Sequence, residues 1–188
     1  RTGSRCGMGE LWLVRHGETQ WSRTGRHTGR TDIVLTARGE QQAAALRLRL
    51  ARPWAAVLTS PLQRATRTAA LAGLDASVEA DLQEWDYGPA EGLTTAELST
   101  GSPWNVWDDP PLGETVQDVG RRAAAVLARL PLDRGDVCLV AHGHLLRILT
   151  VSWLGLPPRD GRLLVLAPAH LSVLGHEHEQ RVVLSWNA

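Results

Sequence analysis

Apolar residues along this chain form two alternating patterns, short continuous runs and stripes that repeat every three or four residues. Short apolar runs bounded by polar residues are typical of strands buried on both faces, and the repeating stripes are typical of amphipathic helices. The predicted strands lie at 11–14, 55–58, 136–141, 162–166, 171–175 and 182–186, and the predicted helices at 36–50, 60–73, 115–130 and 143–154. This alternation predicts an α/β fold, a three-layer α/β/α sandwich around a mostly parallel central sheet.

Residues 60–73 carry the signals of a helix start and a helix end. Ser60 is a good N-cap residue, Pro61 suits the first helical position, and Gln63 completes a capping box with the serine. Gly73 suits the left-handed conformation with which many helices end. We therefore expect a helix that is capped by Ser60 and ends at Gly73.

Residues 84–113 are irregular and rich in Trp and Pro, with one short helical pattern at 95–98. Segments of this length without regular structure are usually functional when they occur inside a compact domain. We expect the segment to form a lid over a binding site. Trp104 and Trp107 would either close over that site or pack on the core.

The start of the chain differs from the remainder. Met8 is the single methionine, and the first apolar run begins just after it. Residues 1–7 are therefore expected to be a leader or an added segment, and residues 8–188 a single domain. No signal-peptide core is present, and no apolar stretch has the eighteen or more residues that a membrane span requires. A cytoplasmic protein without membrane contacts is expected.

Composition narrows the chemistry that the chain can perform. Twenty basic residues balance twenty acidic ones, which argues against a general surface for nucleic acids or anionic membranes. Every basic residue is an arginine, so mechanisms that need a Schiff-base lysine or a P-loop lysine are excluded. Cys6 and Cys138 lack the spacing of a zinc site or a disulfide framework. No metal or other cofactor is expected.

Polar residues follow three of the predicted strands at the point where each strand ends. They are 15–17 (Arg-His-Gly), 60–64 (Ser-Pro-Leu-Gln-Arg) and 142–144 (His-Gly-His). Ligands of such sheets bind beyond the carboxyl ends of the strands, so neighbouring strands would bring these residues together. Arg15 and Arg64 can bind an anion in bidentate fashion, and helix N-termini at Ser60 and Gly143 would add backbone N–H groups. The sequence therefore predicts a site for a dianionic phosphate.

His16 and Glu84 are the candidates for bond formation and proton transfer. A neutral imidazole can attack phosphorus when a backbone carbonyl holds one ring nitrogen as N–H, because the other nitrogen then keeps its lone pair. The leaving alcohol needs a proton, and Glu84 lies beside aromatic residues that can exclude water. Asp86 is the rival acid. A neutral His16 with a protonated Glu84 predicts a mildly acidic optimum for the first half-reaction.

Four blocks of the sequence, taken together, resemble the histidine phosphatase superfamily, whose members have the phosphoglycerate-mutase-like fold. The blocks are 13–19 (Leu-Val-Arg-His-Gly-Glu-Thr), 60–65 (Ser-Pro-Leu-Gln-Arg-Ala), Glu84 and 141–144 (Ala-His-Gly-His). The resemblance implies that His16 is phosphorylated during catalysis and that Glu84 donates the proton. It also implies a phosphate pocket formed by Arg15, Arg64 and His142.

Within that superfamily the chain resembles the branch that contains sedoheptulose-1,7-bisphosphatase and small bacterial acid phosphatases. The segments that carry this resemblance are 21–22, 25–29, 84–92, 103–107, 113–115 and 142–147. In that branch a Thr-Gly pair lines the substrate pocket, which points to Thr28 and Gly29, while His27 stands where the sugar bisphosphatase carries an aromatic residue. The candidate substrate-binding residues are Ser22, His27, Thr28, Gly29, Gly143 and Arg147.

Several candidates also have a purely structural interpretation. Ser22 and His27 would then make hydrogen bonds within their loop. Arg147 would either contact a second phosphate or pair with a carboxylate. His142 and His144 have an H-x-H spacing, but no accompanying carboxylates or cysteines indicate a metal site. Residues 176–179 (His-Glu-His-Glu) are expected to form an exposed turn between strands.

The sequence thus predicts a metal-independent phosphomonoesterase that acts on a small phosphorylated sugar or sugar acid through phospho-His16. A phosphoglycerate mutase is the first alternative; because the mutases are longer and carry additional basic residues, hydrolysis is favoured. The second alternative is a module that binds phosphate esters without turnover. The expected partner is the small-molecule substrate, with no nucleic acid and no membrane, and the oligomeric state is open.

Overall fold

The strands of the protein, seen in a computed structural model that describes residues 8–108, 110 and 112–188, form one mixed sheet. They are β1 (Leu11–Arg15), β2 (Ala56–Thr59), β3 (Ser77–Val78), β4 (Val137–Ala141), β5 (Leu171–Glu177) and β6 (Gln180–Ser185). Their order in the sheet is β3-β2-β4-β1-β5-β6. The pairs from β3 to β1 are parallel, and β5 runs antiparallel to both of its neighbours. The mostly parallel sheet is confirmed, and the segment 1–7 expected to be a leader lies outside the described residues.

Helices cover both faces of this sheet. They are α1 (Gln20–Thr24), α2 (Ala37–Ala45), α3 (Arg47–Leu50), α4 (Gln63–Leu71), α5 (Thr95–Leu98), α6 (Val116–Arg129) and α7 (Gly143–Trp153). Short 3₁₀ turns lie at Ala80–Leu82, Gly88–Ala90, Val106–Asp108 and Pro158–Leu163. The predicted helix 36–50 is divided at Leu46 into α2 and α3. Within the described ranges, no helix combines the length and the apolar character needed to cross a membrane.

Alternate residues of the central strands belong to different layers of the core. In β1, Leu11 and Leu13 pack with the cluster formed around α6 and α7, whereas Val14 packs with the cluster around α3 and α4. The same alternation occurs in β4, where Leu139 joins the first cluster and Val140 the second. Successive side chains of a strand point to opposite faces, so strands buried on both faces read as continuous apolar runs. The three-layer architecture is therefore confirmed.

The carboxyl ends of three parallel strands meet at one edge of the sheet. The last residues of β1 and β4 are direct partners, and β2 ends beside them. The next residues along the chain are His16, Ser60 and His142. The main chain continues the pairing for one more step, since the N–H groups of His16 and Ser60 both donate to carbonyl oxygens of β4 over 3.0 Å. This edge is where the sequence predicts the site.

Helix α4 begins at Gln63, which corrects the prediction that Ser60 caps it. Leu62 takes the N-cap position and makes no side-chain capping bond. The hydroxyl of Ser60 is occupied elsewhere, because its Oγ lies 2.7 Å from Nε2 of His142. The predicted helix end is confirmed by Gly73, which follows the helix with a φ of 74° in the left-handed region.

Residues 162–166 do not form the predicted strand. The 3₁₀ turn ends within this segment, and the chain then continues without regular structure. Leu163 and Val165 are 73% and 72% exposed, so their alternation with less exposed neighbours does not mark a strand in the sheet. The other two tail strands are confirmed as β5 and β6. Of the expected exposed turn 176–179, residues 177–179 are exposed, whereas His176 lies within β5, pairs with Arg181 and is only partly exposed.

Candidate active site

His16 is the first residue beyond β1 and is buried at the carboxyl edge of the sheet. Its Nδ1 lies 2.8 Å from the carbonyl oxygen of Gly17. Because a carbonyl oxygen only accepts hydrogen bonds, Nδ1 carries the proton and Nε2 keeps its lone pair. Burial lowers the pKa of His16 well below its usual value, and the guanidinium groups of Arg64 and Arg15 lower it further. The ring is therefore a neutral nucleophile at neutral pH.

The loop after His16 is tied directly to helix α4. The N–H of Gly17 donates to Oγ1 of Thr68 over 3.1 Å, and that hydroxyl donates to the carbonyl oxygen of Arg64 over 2.7 Å. Gly17 has no room for a side chain, since a Cβ atom would collide with the carbonyl oxygen of Gly39. The nucleophile and the helix that carries Arg64 are thus held at a fixed separation.

Arg64 is fully buried in the first turn of α4. Its Nη2 donates to the carbonyl oxygen of Gly29 over 2.6 Å, and its Nη1 donates to that of Thr31 over 2.9 Å. Its Nε donates to Nδ1 of His142 over 3.2 Å. These partners are neutral, and burial lowers the pKa of the guanidinium. No carboxylate among the described residues bonds to this guanidinium directly, so a dianionic phosphoryl group can bind it as a close countercharge.

Arg15 ends β1 and lies beside the start of α7. Its Nη1 donates to the carbonyl oxygen of Leu166, and its Nε is buried without a hydrogen-bond partner among the described residues. A Cβ atom at Gly143 would lie 3.2 Å from Cζ of Arg15, so this glycine leaves space for the guanidinium group. Burial lowers the pKa of Arg15 as well. The two arginines that the sequence assigns to a phosphate pocket therefore both donate to carbonyl oxygens, Arg64 from a fully buried position and Arg15 from a partly buried one.

His142 lies between Arg64 and Ser60. Its Nδ1 accepts the hydrogen bond from Arg64, so the proton is on Nε2, which donates to Oγ of Ser60 over 2.7 Å. Its ring is 5.1 Å from that of His16 between centroids, in an edge-to-face arrangement. Burial lowers the pKa of His142 well below its usual value, with further contributions from Arg64 and His16. The role of Ser60 as a partner of this ring was missed by the sequence analysis, which assigned the serine to a helix cap.

Glu84 is buried, and its carboxylate accepts three backbone N–H bonds. Oε1 accepts from Trp85 over 3.0 Å and from Leu145 over 2.9 Å, and Oε2 accepts from His144 over 3.0 Å. The carboxylate thus caps helix α7 and uses the N–H groups of His144 and Leu145, while phosphate binding by the N–H of Gly143 stays a prediction. A carboxylate has about four lone-pair sites, so the site that stays open is on Oε2. This is the atom at which Glu84 can carry a proton.

A salt bridge that the sequence analysis missed holds the segment around Glu84. Nε of Arg122, on α6, lies 2.8 Å from Oε1 of Glu114, and both side chains are largely buried. The same guanidinium donates to the carbonyl oxygens of Gln83 over 3.0 Å and Glu84 over 3.4 Å. Glu114 in turn accepts the N–H of Asp86 over 3.0 Å. The main chain on both sides of the proton donor is therefore fixed by this ion pair.

Asp86, the rival acid, is used within a surface turn. Its Oδ1 accepts the N–H of Gly88 over 2.9 Å, and its Oδ2 lies 3.5 Å from Nε of Arg30. Its side chain is partly exposed, whereas that of Glu84 is buried beside the start of α7. The geometry favours Glu84 as the acid.

The hydroxyl groups of Ser22 and Thr28 are used within their own loop. Oγ of Ser22 accepts the N–H of Thr19 over 2.9 Å, and the N–H of Ser22 donates to Oγ1 of Thr19 over 3.1 Å, which forms a capping box at α1. Oγ1 of Thr28 donates to the carbonyl oxygen of Arg26 over 3.2 Å. The hydrogen bonds of Ser22 therefore favour a structural role for this residue. At Thr28 and Gly29 the carbonyl oxygens point toward Arg64 and accept its hydrogen bonds.

His27 connects this loop to the segment 84–113. Its ring centroid lies 5.3 Å from that of Tyr87 and 4.9 Å from that of Trp104. Its Nε2 lies 3.2 Å from Oγ1 of Thr95. Burial lowers the pKa of His27, so the ring is neutral at neutral pH. Trp104 thus contacts the loop beyond His16 and also packs against the core, and its role as a lid residue stays a prediction.

In the described part of the chain, Arg147 forms no pair with a carboxylate. Its Nε donates to the carbonyl oxygen of Gly161 over 2.9 Å. Its Cζ lies 4.8 Å from the ring centre of Trp107, a cation–π contact. Contact with a second phosphate stays a prediction.

Trp107 packs on the core and does not close over the site. It is 6% exposed, and its ring lies 5.5 Å from that of Trp85 and 5.3 Å from that of His144. The hydroxyl of Tyr87 is hydrogen-bonded to Nδ1 of His144. Burial raises the pKa of Tyr87 and lowers that of His144, so both are neutral and form a dry wall next to Glu84. No group of His, Cys, Asp and Glu residues suited to a metal ion occurs among the residues that the structure covers.

Over most of its length the chain is similar to proteins named as phosphatases and mutases. An acid phosphatase of Mycobacterium tuberculosis is 41% identical over 181 residues, which cover 91% of this chain and 88% of that protein. The sedoheptulose 1,7-bisphosphatase of Saccharomyces cerevisiae is 35% identical, covering 77% of this chain and 67% of that protein. A probable phosphoglycerate mutase of Salmonella paratyphi C is also 35% identical, covering 95% and 90%.

The fold has solved counterparts. The structure of an open reading frame product of Mycobacterium tuberculosis superposes with a TM-score of 0.91 at 38% identity, covering 95% of this chain and 97% of that one. The family model of the histidine phosphatase superfamily, branch 1, matches residues 11–188. These matches confirm the expected fold and the expected class of enzyme, a phosphoric monoester hydrolase. The chain belongs to the histidine phosphatase superfamily.

Proposed function

We propose that the protein hydrolyses small phosphate monoesters through a phosphohistidine formed at Nε2 of His16. The observation that carries the proposal is the hydrogen bond between Nδ1 of His16 and the carbonyl oxygen of Gly17, which leaves the Nε2 lone pair free in a neutral ring. Arg15 and Arg64 lie near this ring without carboxylate partners in the described residues. A nucleophile and the groups that bind a dianion are thus present in one buried site.

In the first half-reaction Nε2 of His16 attacks phosphorus. The N–P bond forms while the bond between phosphorus and the ester oxygen breaks, and the leaving oxygen takes the proton carried by Oε2 of Glu84. The guanidinium groups of Arg15 and Arg64 bind the phosphoryl oxygens throughout the transfer, with His142 in contact with the same group. The products are the free alcohol and phospho-His16.

In the second half-reaction a water molecule attacks phospho-His16. Glu84, now a carboxylate, takes one proton from the water, the new P–O bond forms, and the N–P bond breaks. His16 returns to its neutral form, and inorganic phosphate leaves. Both half-reactions use the same protein groups, which are the imidazoles of His16 and His142, the guanidinium groups of Arg15 and Arg64, and the carboxyl group of Glu84. The proposed steps involve no metal and no cofactor.

We further propose a phosphorylated sugar or sugar acid as the substrate. The names of the acid phosphatase and sugar bisphosphatase relatives support this class. The proposed substrate-facing residues are His27, Thr28, Gly29, Gly143 and Arg147, with Arg147 available to a second phosphate or a carboxylate of the leaving group. A cytoplasmic location and a single domain over residues 8–188 belong to the same proposal.

Phosphoglycerate mutase activity is the second candidate, and one relative named as a probable mutase favours it. A mutase would share the first half-reaction and return the phosphoryl group to another hydroxyl. The higher identity to the acid phosphatase, 41% against 35%, supports hydrolysis. A silent binding module is disfavoured because the nucleophile, the arginines and the acid are all present.

Release of phosphate tests the proposal. The protein is incubated with EDTA and a panel of sugar phosphates, sugar bisphosphates, phosphoglycerates and an aryl phosphate, beside a His16→Ala control. We expect phosphate release that EDTA does not reduce and that the control lacks. Interconversion of phosphoglycerates without phosphate release would establish the mutase, and silence of the wild type on the whole panel would leave only the binding module.

A further inference from the structure

The guanidinium of Arg64 is directed by the backbone of residues 28–31. Its strongest contacts in this segment are to the carbonyl oxygens of Gly29, over 2.6 Å, and Thr31, over 2.9 Å, with a longer contact of 3.4 Å to that of Thr28. Thr31 itself is exposed at the surface of the domain. The position of a fully buried catalytic arginine therefore depends on a loop that reaches the surface.

Glu91 lies outside the phosphate pocket and holds this loop by hydrogen bonds to its carboxylate. Its Oε1 accepts the N–H of Arg30 over 2.7 Å, and its Oε2 accepts the N–H of Thr31 over 2.8 Å. Oε2 also accepts the hydroxyl of Thr31. Both carboxylate oxygens are thus used on two consecutive residues, and Thr31 is one of those that hold Arg64.

The loop at residues 27–31 and the segment that contains Glu91 are joined by main-chain hydrogen bonds and pack closely together. The N–H of Gly92 donates to the carbonyl oxygen of His27, and the N–H of His27 donates to that of Leu93, both over 2.9 Å. A Cβ atom at Gly29 would collide with Oε1 of Glu91 and would lie 2.5 Å from the carbonyl oxygen of Trp85. The carboxylate therefore lies directly against the peptide that receives Arg64.

We propose that Glu91 is a positioning residue of the phosphatase site, which orients Arg64 toward the phosphoryl group through the carbonyl groups of residues 28–31. Glu91 does not touch the reacting atoms, and the proposal rests on the phosphatase function proposed above. Three donors converge on two oxygens, an arrangement that only a carboxylate satisfies, because an amide replaces one acceptor with a donor. The neutral isostere would therefore release part of the loop.

The test compares Glu91→Gln with Glu97→Gln. Glu97 is a matched control, since its carboxylate likewise accepts an N–H and a hydroxyl from one threonine, Thr94, and contacts Arg26. We expect Glu91→Gln to lower kcat/KM for an aryl phosphate by roughly 10- to 100-fold, as displacement of a catalytic group by about an ångström does. Inhibition by inorganic phosphate should weaken as well. Glu97→Gln should stay within twofold of wild type, and Glu91→Asp, which keeps both oxygens, should recover part of the loss.

A double-variant cycle separates positioning from general loss of structure. With Arg64→Met as the background, Glu91→Gln should cause no further loss of kcat/KM, because the residue through which it acts is already absent. Every variant is first confirmed as folded by circular dichroism, and Glu91→Asp replaces Glu91→Gln in the cycle if the latter unfolds. Equal activity of Glu91→Gln and wild type, or a full additive loss in the Arg64→Met background, would overturn the inference. Failure of the phosphatase function itself is distinguished by a wild type that releases no phosphate.

Discussion

The arginines on the two sides of the candidate active site have different hydrogen-bond partners. In the phosphate pocket, Arg15 and Arg64 donate to carbonyl oxygens. Behind Glu84, Arg122 is largely enclosed but is paired with the carboxylate of Glu114. A buried charge without a countercharge costs free energy until an anion binds, whereas a paired one can support the fold on its own. The difference separates residues that bind the reacting group from residues that hold the catalytic machinery in place.

The largest effect is expected for Arg64→Met, which keeps the volume of the side chain and removes its charge. Kcat/KM should fall by about 10³- to 10⁵-fold, the range over which an arginine stabilises a transferring phosphoryl group. The variant loses hydrogen bonds to Gly29, Thr31 and His142 but no longer buries an unpaired charge, so these two terms offset each other in part and stability should change less than activity. Steady-state kinetics and urea unfolding check both expectations. Activity of the variant within tenfold of the wild type would contradict the proposed difference between the two regions.

The next largest effect is expected for Glu84→Gln, which can keep one acceptor oxygen for Trp85 and Leu145, loses the bond from the N–H of His144 and removes the transferable proton. For a substrate with a poor leaving group, kcat should fall by about 10²- to 10⁴-fold, and the loss should shrink for an aryl phosphate, whose leaving group needs no proton. Asp86→Asn serves as the control and should have a small effect. Equal losses in the two variants would reassign the acid.

A third effect, on stability, is expected for Arg122→Met. Removing the close partner of this largely buried ion pair leaves Glu114 with only a longer contact, 3.6 Å to Nη2 of the partly exposed Arg30, so the free energy of unfolding should fall by up to about 3 kcal/mol. Arg129→Met, which removes a surface guanidinium paired with Asp81 and Glu79, should change stability little. Urea unfolding of both variants provides the measurement. Similar stability of the two would show that the pair behind Glu84 does not support the fold.

A fourth effect is a pH dependence of stability, small for each histidine taken alone. His16, His142 and His144 are buried with pKa values well below the ordinary value because of burial. In the unfolded chain they titrate near pH 6.5. Below that pH the unfolded chain binds protons that the folded chain does not, so stability should fall with pH by up to about 1.4 kcal/mol per unit for each histidine.

Urea unfolding at pH 7.5, 6.5 and 5.5 measures this dependence. Substitution His144→Phe should reduce the slope between pH 6.5 and 5.5, and substitution of the exposed His178 by Gln should leave it unchanged. Stability that is flat or rises toward pH 5.5 would contradict neutral, buried histidines in the site.

The sequence predicts the parts of the site that follow from strand ends. Apolar runs locate β1 and β4, and a parallel sheet then brings His16 and His142 to the same edge. Ser60 shows where local signals fail, because its capping-box pattern is overridden by a hydrogen bond to a ring 82 positions away in the chain. Contacts of this kind depend on tertiary packing, which no short window of sequence contains.

The dependence on tertiary contacts also explains the other differences between the sequence predictions and the structure. Glu84 is recognisable as an acid, but two of its three N–H partners, His144 and Leu145, and the Arg122 pair behind it come from elements far along the chain. Residues 162–166 look like a strand because apolar side chains recur, yet Leu163 and Val165 face solvent. An alternating apolar pattern predicts a strand only on the assumption that its apolar side chains are buried. The assumption holds for the core strands and fails for residues 162–166.

Chemical trapping of the phosphoenzyme tests the central claim most directly. The protein is mixed with an excess of the best substrate, quenched in alkali, in which the N–P bond survives, and digested for mass spectrometry. The proposed mechanism predicts one phosphate on the peptide that contains His16, absent from His16→Ala and longer-lived in Glu84→Gln. Turnover with no phosphate on that peptide, or with phosphate on another residue, would contradict it.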